Sequence, residues 1–204
     1  MPSLQETSMN PSLQEITEEI SHSNPLPGLS ERILLENPDF YNVWKGKMYI
    51  QGKLVCDIAL QSSTNYSIPA QLPEKLEIRD VIRLSDLRQK LPEDIFERLD
   101  FSGKEVCCGE VYCSLYQLRA SNVVGLELYK LQTLMKDKDL AVVKLLNDQG
   151  FLIFITSTLV KASKDLQHSD SSCLAALFLF LTQGYWTVKS LNNGKKTFPL
   201  KMSL

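Results

Sequence analysis

The chain has few of the residue types and motifs that mark catalytic and metal sites. It holds only two histidines, His22 and His168, in 204 residues, and both lie in polar segments, so a Cys/His or Ser/His catalytic pair would have to use a loop histidine. Glycine-rich phosphate loops, the G-x-S-x-G turn of hydrolases and the H-E-x-x-H zinc motif are all missing from the sequence. The sequence therefore predicts a protein that is not an enzyme and that needs no metal or cofactor.

Long apolar runs and a surplus of one charge are also missing. The longest apolar stretch, residues 174–181, is far shorter than the roughly 18 residues that a membrane span needs, and we interpret it as a buried strand. The first residues have neither the basic nor the apolar region of a secretory signal, so we expect a reducing compartment. The net charge is −2, so any basic site must be a local patch, and direct nucleic-acid binding is not expected.

Five cysteines stand at positions 56, 107, 108, 113 and 173, without the spacing of a disulfide framework. We expect free, buried thiols. The cluster at 107, 108 and 113 lacks the C-x-x-C spacing of a zinc site. If residues 106–118 form one strand, Cys107 and Cys113 face one side and Cys108 the other. The alternative that these residues leave open is a divergent enzyme that uses a thiol such as Cys107 or Cys113.

The chain changes character near residues 25–28. Residues 1–30 are polar and end in Asn-Pro-Leu-Pro-Gly, a composition that cannot bury enough apolar surface to fold, so we predict a disordered tail or linker. The alternative is a short helix that docks on a partner, because Leu13, Ile16 and Ile20 have i, i+3, i+7 spacing. We expect one folded domain over residues 38–190 and a C-terminal tail over 191–204.

Within that domain the apolar pattern is mainly that of β-strands. Even-numbered residues from Met48 to Leu60 are mostly apolar, which predicts two strands with a turn or bulge at Gly52. A helix with Ser85 as its N-cap and another that begins near Pro92 are expected. Further elements are a helix over residues 126–135, a short strand that follows the proline within residues 72–78, and strands over 106–118, 151–155, 174–181 and 185–190. Many strands with few helices, and no βαβ rhythm, predict an α+β fold with an antiparallel sheet or barrel.

Three segments, read in order, resemble the SPOC domain, a β-barrel interaction module of Spen-type transcriptional regulators. Residues 43–50 (VWKGKMYI) resemble its opening strand, and residues 72–84 (LPEKLEIRDVIRL) resemble the stretch that follows. Residues 129–135 with 141–146 resemble its late helix and the strand after it. Residues 145–157 (LLNDQGFLIFITS), followed by 177–180 (LFLF), more closely resemble the version of this domain in the TASOR family of heterochromatin-silencing scaffolds.

The resemblance implies a SPOC-like antiparallel β-barrel with inserted helices. It also implies a non-enzymatic protein-interaction module in a nuclear scaffold that acts in heterochromatin formation and transcriptional silencing. The partners would be other proteins of a chromatin-silencing complex. The family's inactive poly(ADP-ribose)-polymerase-like domain has no counterpart in this chain, so the chain is expected to be a fragment, a short isoform or a truncated paralogue.

Basic residues supply the candidate binding site. Lys75, Arg79 and Arg83 lie close together in sequence, and we predict that they bind the partner, including acidic or phosphorylated peptides. Some SPOC domains bind phosphoserine through an R-x-R pair, which would fall here at Val81 and Arg83. If residues 79–83 form one strand, Arg79, Val81 and Arg83 lie on the same face of it. The alternative is that these basic residues bind no partner and are only exposed to solvent.

Overall fold

The structure is a computed structural model, and it describes residues 13–22, 40–92, 94–121, 126–147, 150–159 and 173–181. Its helices are α1 (Leu13–His22), α2 (Leu84–Lys90), α3 (Ile95–Arg98) and α4 (Leu126–Asp137). Its strands are β1 (Tyr41–Ile50), β2 (Lys53–Ser62), β3 (Lys75–Ile78), β4 (Asp80–Arg83), β5 (Val106–Cys108), β6 (Val111–Ala120), β7 (Leu140–Asn147), β8 (Gly150–Thr156) and β9 (Leu174–Leu181). Within these ranges no helix is long and apolar enough to cross a membrane. The strand predicted at 185–190 lies outside them.

The described strands form one sheet in the order β3-β1-β2-β6-β9-β8-β7-β4, with β5 paired to β6. The two end strands, β3 and β4, are separated in the chain by Arg79 alone. Because these two edge strands are consecutive in the sequence, the two edges of the sheet must lie close together, and the sheet must curl. The sheet is therefore strongly curled, and together with its helices it confirms the predicted α+β class.

One strand pair departs from the predicted antiparallel arrangement. β3 runs parallel to β1, with Lys47 beside Lys75 and Ile50 beside Ile78. The reason is the connection after β2, which ends beside the start of β1. Residues 63–74 lead from there to the other side of β1, where β3 runs antiparallel to β2 and therefore parallel to β1. A crossover of this kind produces a parallel neighbour, whereas a tight turn produces an antiparallel one.

The β1–β2 hairpin forms where the alternating pattern predicts it. Its turn consists of Gln51 and Gly52, which have φ angles of 50° and 75°. Two consecutive positive φ angles belong to the turn type whose twist suits a two-residue hairpin loop. The Gly52 amide also donates a hydrogen bond to Oε1 of Glu77 at 2.8 Å, which ties the turn to β3.

Apolar side chains cover both faces of the half of the sheet built from β6–β9. In β8, Ile153 and Ile155 belong to one buried cluster, while Leu152 and Phe154 belong to the other. We call the cluster that contains Leu152 and Phe154 the inner cluster. It takes residues from both ends of the strand order, including β3 and β4, so it lies inside the curl, and α1 and α4 cover it. The outer cluster, which contains Ile153 and Ile155, packs under α2 and α3. Burial on both faces explains the near-continuous apolar sequence of β8 and β9.

The disordered tail predicted for residues 1–30 is wrong for Leu13–His22, which form α1. The remaining residues of that range lie outside the described part of the chain. Ile16 is only 1% exposed and belongs to the inner cluster, against which Leu13 and Ile20 also pack. The i, i+3, i+7 pattern therefore does mark a docking helix, but in the structure this helix docks on its own chain.

Two further local predictions are corrected. Ser85 does not cap α2, which begins one residue earlier at Leu84 and has no side-chain cap of its own. Residues 106–118 are not one strand, because a turn at Gly109 (φ 62°) folds them into the β5–β6 hairpin. The hairpin places Cys108 opposite Val111 on the buried side. Cys113 is on this same side and Cys107 is exposed, the reverse of the predicted grouping.

Candidate interaction surface

The outward side of β1 and β3 carries a local group of cations. Lys45 and Lys47 alternate with inward-facing residues of β1, and both are exposed. The parallel register sets Lys47 directly beside Lys75. Arg79, exposed at the corner between β3 and β4, extends the group. We call Lys45, Lys47, Lys75 and Arg79 the basic strip.

The basic strip also contains an aromatic side chain. The Lys75 ammonium lies 5.9 Å from the ring centroid of Tyr49, which is within the range of a cation–π contact. The ring therefore helps to hold the Lys75 side chain across β1. Two acidic residues lie beside the strip in the register. Asp57 of β2 is directly opposite Lys47, and Glu77 is beside Tyr49, where its carboxylate accepts the Gly52 amide.

Like charges side by side in adjacent strands reduce the stability of a sheet. The Lys47–Lys75 pair therefore has no evident structural benefit by itself, although Asp57 lies on the other side of Lys47 and offsets part of the positive charge of the strip. Several exposed ammonium groups and a guanidinium within one strip can make charge-assisted hydrogen bonds to carboxylates or phosphates. The strip thus offers a place for an anionic ligand on a chain whose net charge is −2.

The structure separates the three residues predicted to bind a partner. Lys75 and Arg79 belong to the basic strip, whereas Arg83 is half-buried at the far end of β4, just before α2. Val81, between the two arginines, is only 7% exposed and packs in the inner cluster. The expectation that Arg79, Val81 and Arg83 form one accessible face is therefore wrong, because β4 turns Val81 into the core. Whether each arginine binds a partner stays a prediction.

Sequence reasoning missed Lys45 and Lys47 as candidate site residues. Their alternation with apolar neighbours in β1 shows that they face solvent, but it does not show what lies beside them. The missing information was the parallel β1–β3 pairing, which aligns Lys47 with Lys75 across 28 positions of sequence. A crossover connection of this kind has no short-range sequence signature.

The buried thiols lack the environment that a nucleophile needs. Burial raises the pKa of Cys56 to about 12, with smaller contributions from Glu127 and Asp57. Burial also raises the pKa of Cys113 far above its ordinary range. For Cys108, burial raises the pKa although Nη1 of Arg98 lies 3.1 Å from its sulfur. A reactive cysteine needs a lowered pKa, so these three thiols do not favour the thiol-enzyme alternative.

The described residues hold no group of three or more His, Cys, Asp or Glu side chains placed to bind a metal ion. An open cavity of about 370 Å³ lies between α1, β2 and α4. The fold and surface thus define an α+β domain built on one curled sheet, with a basic strip on the outward side of β1 and β3.

Comparison with known proteins gives the family. No family model matches the chain. It is 38% identical over 122 residues to a human protein named TASOR 2 and 35% identical over 141 residues to the human protein TASOR. It is 34% identical over 141 residues to mouse TASOR. The matches cover 60% of this chain for TASOR 2 and 69% for each TASOR protein. The chain contains a TASOR-family region.

The relatives are much longer than this chain. The matched region spans 5% of human TASOR 2, 8% of human TASOR and 9% of mouse TASOR. The similarity therefore concerns one region of large proteins.

Proposed function

We propose that this chain is a non-enzymatic protein-interaction module of a nuclear scaffold that acts in heterochromatin formation and transcriptional silencing. The observation that carries the proposal is the match to TASOR proteins over 60–69% of the chain. The curled sheet with inserted helices supports the further proposal that the folded region is SPOC-like. The high pKa values of Cys56 and Cys113 make a thiol-dependent reaction the less favoured alternative.

The basic strip is the proposed docking surface, and the proposed ligand is an acidic or phosphorylated segment of another protein of a silencing complex. Lys47 and Lys75 lie in adjacent strands, about 5 Å apart at Cβ by the geometry of paired residues, so both can contact one anionic group. Arg79 continues the strip at its corner. Arg83 is proposed as a separate contact, since Val81 and Ile82 are buried between the arginines.

The experiment is a pull-down from nuclear extract with the tagged full chain, before and after phosphatase treatment of the extract. We expect specific partners to be retained by the wild type. Lys47→Gln with Lys75→Gln should reduce their recovery about tenfold or more, because each charge-assisted contact contributes roughly 1.5–3 kcal/mol. Arg79→Gln and Arg83→Gln, tested singly, determine which arginine takes part. A phosphatase effect identifies phosphate as the anion.

A matched control removes two lysines elsewhere. Lys104 and Lys136 are exposed and lie outside the basic strip, so Lys104→Gln with Lys136→Gln makes the same change in net charge. Recovery should stay at the wild-type level in this control. Equal losses in both double variants would mean that only net charge matters and would exclude the strip as a specific site. Wild-type recovery in the Lys47/Lys75 variant would also exclude it.

A further inference from the structure

Helix α1 owes its order to the surface on which it docks. It has 10 residues, which is below the length at which an isolated helix is stable in water. One side chain, Ile16, is almost fully buried, and Leu13 and Ile20 pack partly against the same inner cluster. The helix is thus held by three aliphatic side chains and by a hydrogen bond from Lys130 to its backbone near the C-terminal end.

The groove under α1 has features that select a helix and fix its direction. Its walls come from α4 and β2. The ammonium of Lys130, on α4, donates a hydrogen bond to the carbonyl oxygen of Ile20 at 3.2 Å. A cation at the C-terminal end of a helix satisfies free carbonyl groups and interacts favourably with the helix dipole. Lys130 therefore favours helices that end at this point.

Helix α1 does not fill its groove. An open cavity of about 370 Å³ remains beside it, and Thr17 and Ile20 of α1 form one wall. The domain contributes apolar side chains, Ile50, Leu54, Val55 and Cys56, and charged ones, Lys53, Asp57, Glu127 and Lys130. Thr17 is a short side chain, and its hydroxyl bonds back to the Leu13 carbonyl at 2.9 Å. The apolar part of this lining lacks the packing contacts that a larger neighbouring side chain would supply. A helix with a larger apolar residue in place of Thr17 would make those contacts.

The connection to the domain makes α1 a strong competitor for its own groove. Residues 23–40 connect α1 to β1 in the sequence, and covalent attachment gives a binding segment an effective concentration of about the millimolar range. An identical helix from a second copy would have to compete against that concentration with no better contacts. A helix from another protein can replace α1 only if it fits the groove more completely.

We propose that the groove between α4 and β2 is a second docking site, which α1 occupies in cis and a partner helix occupies in trans. The partner segment is an amphipathic helix with aliphatic residues at the spacing of Leu13, Ile16 and Ile20. It carries a larger apolar residue at the position of Thr17. Helix α1 then occupies the groove until a partner helix displaces it. This site is separate from the basic strip and does not depend on the function proposed for the strip.

The test uses fluorescent peptides of residues 11–24 and the full chain. The peptides have the natural sequence, Thr17→Leu or Ile16→Glu, and are titrated onto the wild type and onto an Ile16→Glu chain, whose own helix no longer docks. We expect the Thr17→Leu peptide to bind the Ile16→Glu chain at least tenfold more tightly than the wild type, because the competing helix is gone. The natural peptide should bind more weakly than Thr17→Leu, and the Ile16→Glu peptide should not bind.

Cys56 gives an independent measurement, because it lines the cavity and is only 4% exposed. Its alkylation, followed by peptide mapping, should be at least tenfold faster in the Ile16→Glu chain and should slow again when the Thr17→Leu peptide is added. Cys113, buried in the outer cluster, is the internal control and should react at the same slow rate in both chains.

Several results would overturn the proposal. One is a folded Ile16→Glu chain that binds none of the peptides. Another is equal affinity of the Thr17→Leu peptide for both chains, which would place its binding elsewhere. Equal affinity of the natural and Thr17→Leu peptides would instead favour exchange of α1 between copies. If the Ile16→Glu chain does not fold, titration of the Thr17→Leu peptide onto the wild type decides, and no binding at millimolar concentration excludes the site.

Discussion

The indole ring of Trp44 lies against the backbone of Gly46, two residues further along β1. A β-carbon on Gly46 would overlap Cη2 and Cζ2 of that ring and would lie 2.6 Å from the carbonyl oxygen of Glu74. The same carbonyl accepts the Lys47 amide at 2.8 Å, which joins β1 to the residue preceding β3. The glycine is therefore needed for close approach of the ring and of the neighbouring chain.

Gly46→Ala should lower the free energy of unfolding by about 1–3 kcal/mol, because the ring and the Glu74 carbonyl must both move. Gly52→Ala is the matched control. Gly52 has open space around its Cα, so only its φ of 75° opposes a side chain there, at about 1 kcal/mol. Denaturant titration of the two variants measures the difference. Equal midpoints would mean that Trp44 does not restrict position 46.

Trp44 itself is expected to be a structural anchor. It is half-buried and packs against the inner cluster, so Trp44→Ala should cost near the lower end of the roughly 3–5 kcal/mol typical of a buried tryptophan. Much of the Gly46→Ala cost should disappear in the Trp44→Ala background, because the overlapping ring is gone. A double-mutant cycle measures this coupling. A Trp44→Ala chain that melts like the wild type would contradict the assignment.

Helix α2 is capped by a residue distant in sequence. The Asp139 carbonyl accepts the Leu84 amide at 2.8 Å, and its carboxylate accepts the Ser85 amide at 3.2 Å. Asp139 also has a φ of 55°, which asparagine tolerates better than alanine. We expect Asp139→Ala to cost about 1–2 kcal/mol and Asp139→Asn to cost much less. Thermal melting compares them, and equal losses in both variants would contradict capping by the side chain.

The local elements of this fold could be predicted from the sequence because their signals are short-range. The turn at Gly52 follows from alternation, and α4 follows from the helical spacing of Leu128, Leu131 and Met135. The cap of α2 could not be predicted, because Asp139 lies 54 residues from Ser85. The order of α1 was missed for a similar reason. The composition of residues 1–30 describes the segment alone, whereas Ile16 is buried by the inner cluster.

The candidate site was predicted only in part. Lys75 and Arg79 were found because they are close in sequence, while Lys45 and Lys47 reach them only through the parallel β1–β3 pairing. The grouping of Arg79 with Arg83 failed because one extended strand was assumed. The chain instead passes from one end strand of the sheet to the other at Arg79.

Val81→Arg tests that correction directly. If Arg79, Val81 and Arg83 shared an exposed face, the variant would fold normally and would bind phosphorylated peptides better. Since Val81 is 7% exposed in the inner cluster, we expect a loss of about 3 kcal/mol or more from burying an unpaired charge. Arg79→Gln, at an exposed position, should leave the melting temperature unchanged. A stable Val81→Arg chain would contradict this placement of β4.

The raised pKa values of the buried thiols predict that the fold loses stability in alkali. Burial holds the pKa of Cys56 near 12, whereas an unfolded cysteine has a pKa of about 8.5. The stabilisation of the folded state is therefore complete below about pH 8.5, where both states keep the proton. It is lost progressively as the pH rises towards 12, because the unfolded chain gives up the proton first. At pH 10 we expect Cys56 to account for a loss of about 1–2 kcal/mol.

Denaturant titrations at pH 7.5 and pH 10 measure this effect in the wild type, Cys56→Ala and Cys107→Ala. Cys56→Ala should be less stable at pH 7.5, because it leaves a small cavity in the inner cluster, but it should lose less stability than the wild type between the two pH values. Cys107→Ala is the control because Cys107 is exposed, and it should follow the wild type. If Cys56→Ala loses as much stability in alkali as the wild type does, the Cys56 thiol is not shielded by α1 and α4 as the structure has it.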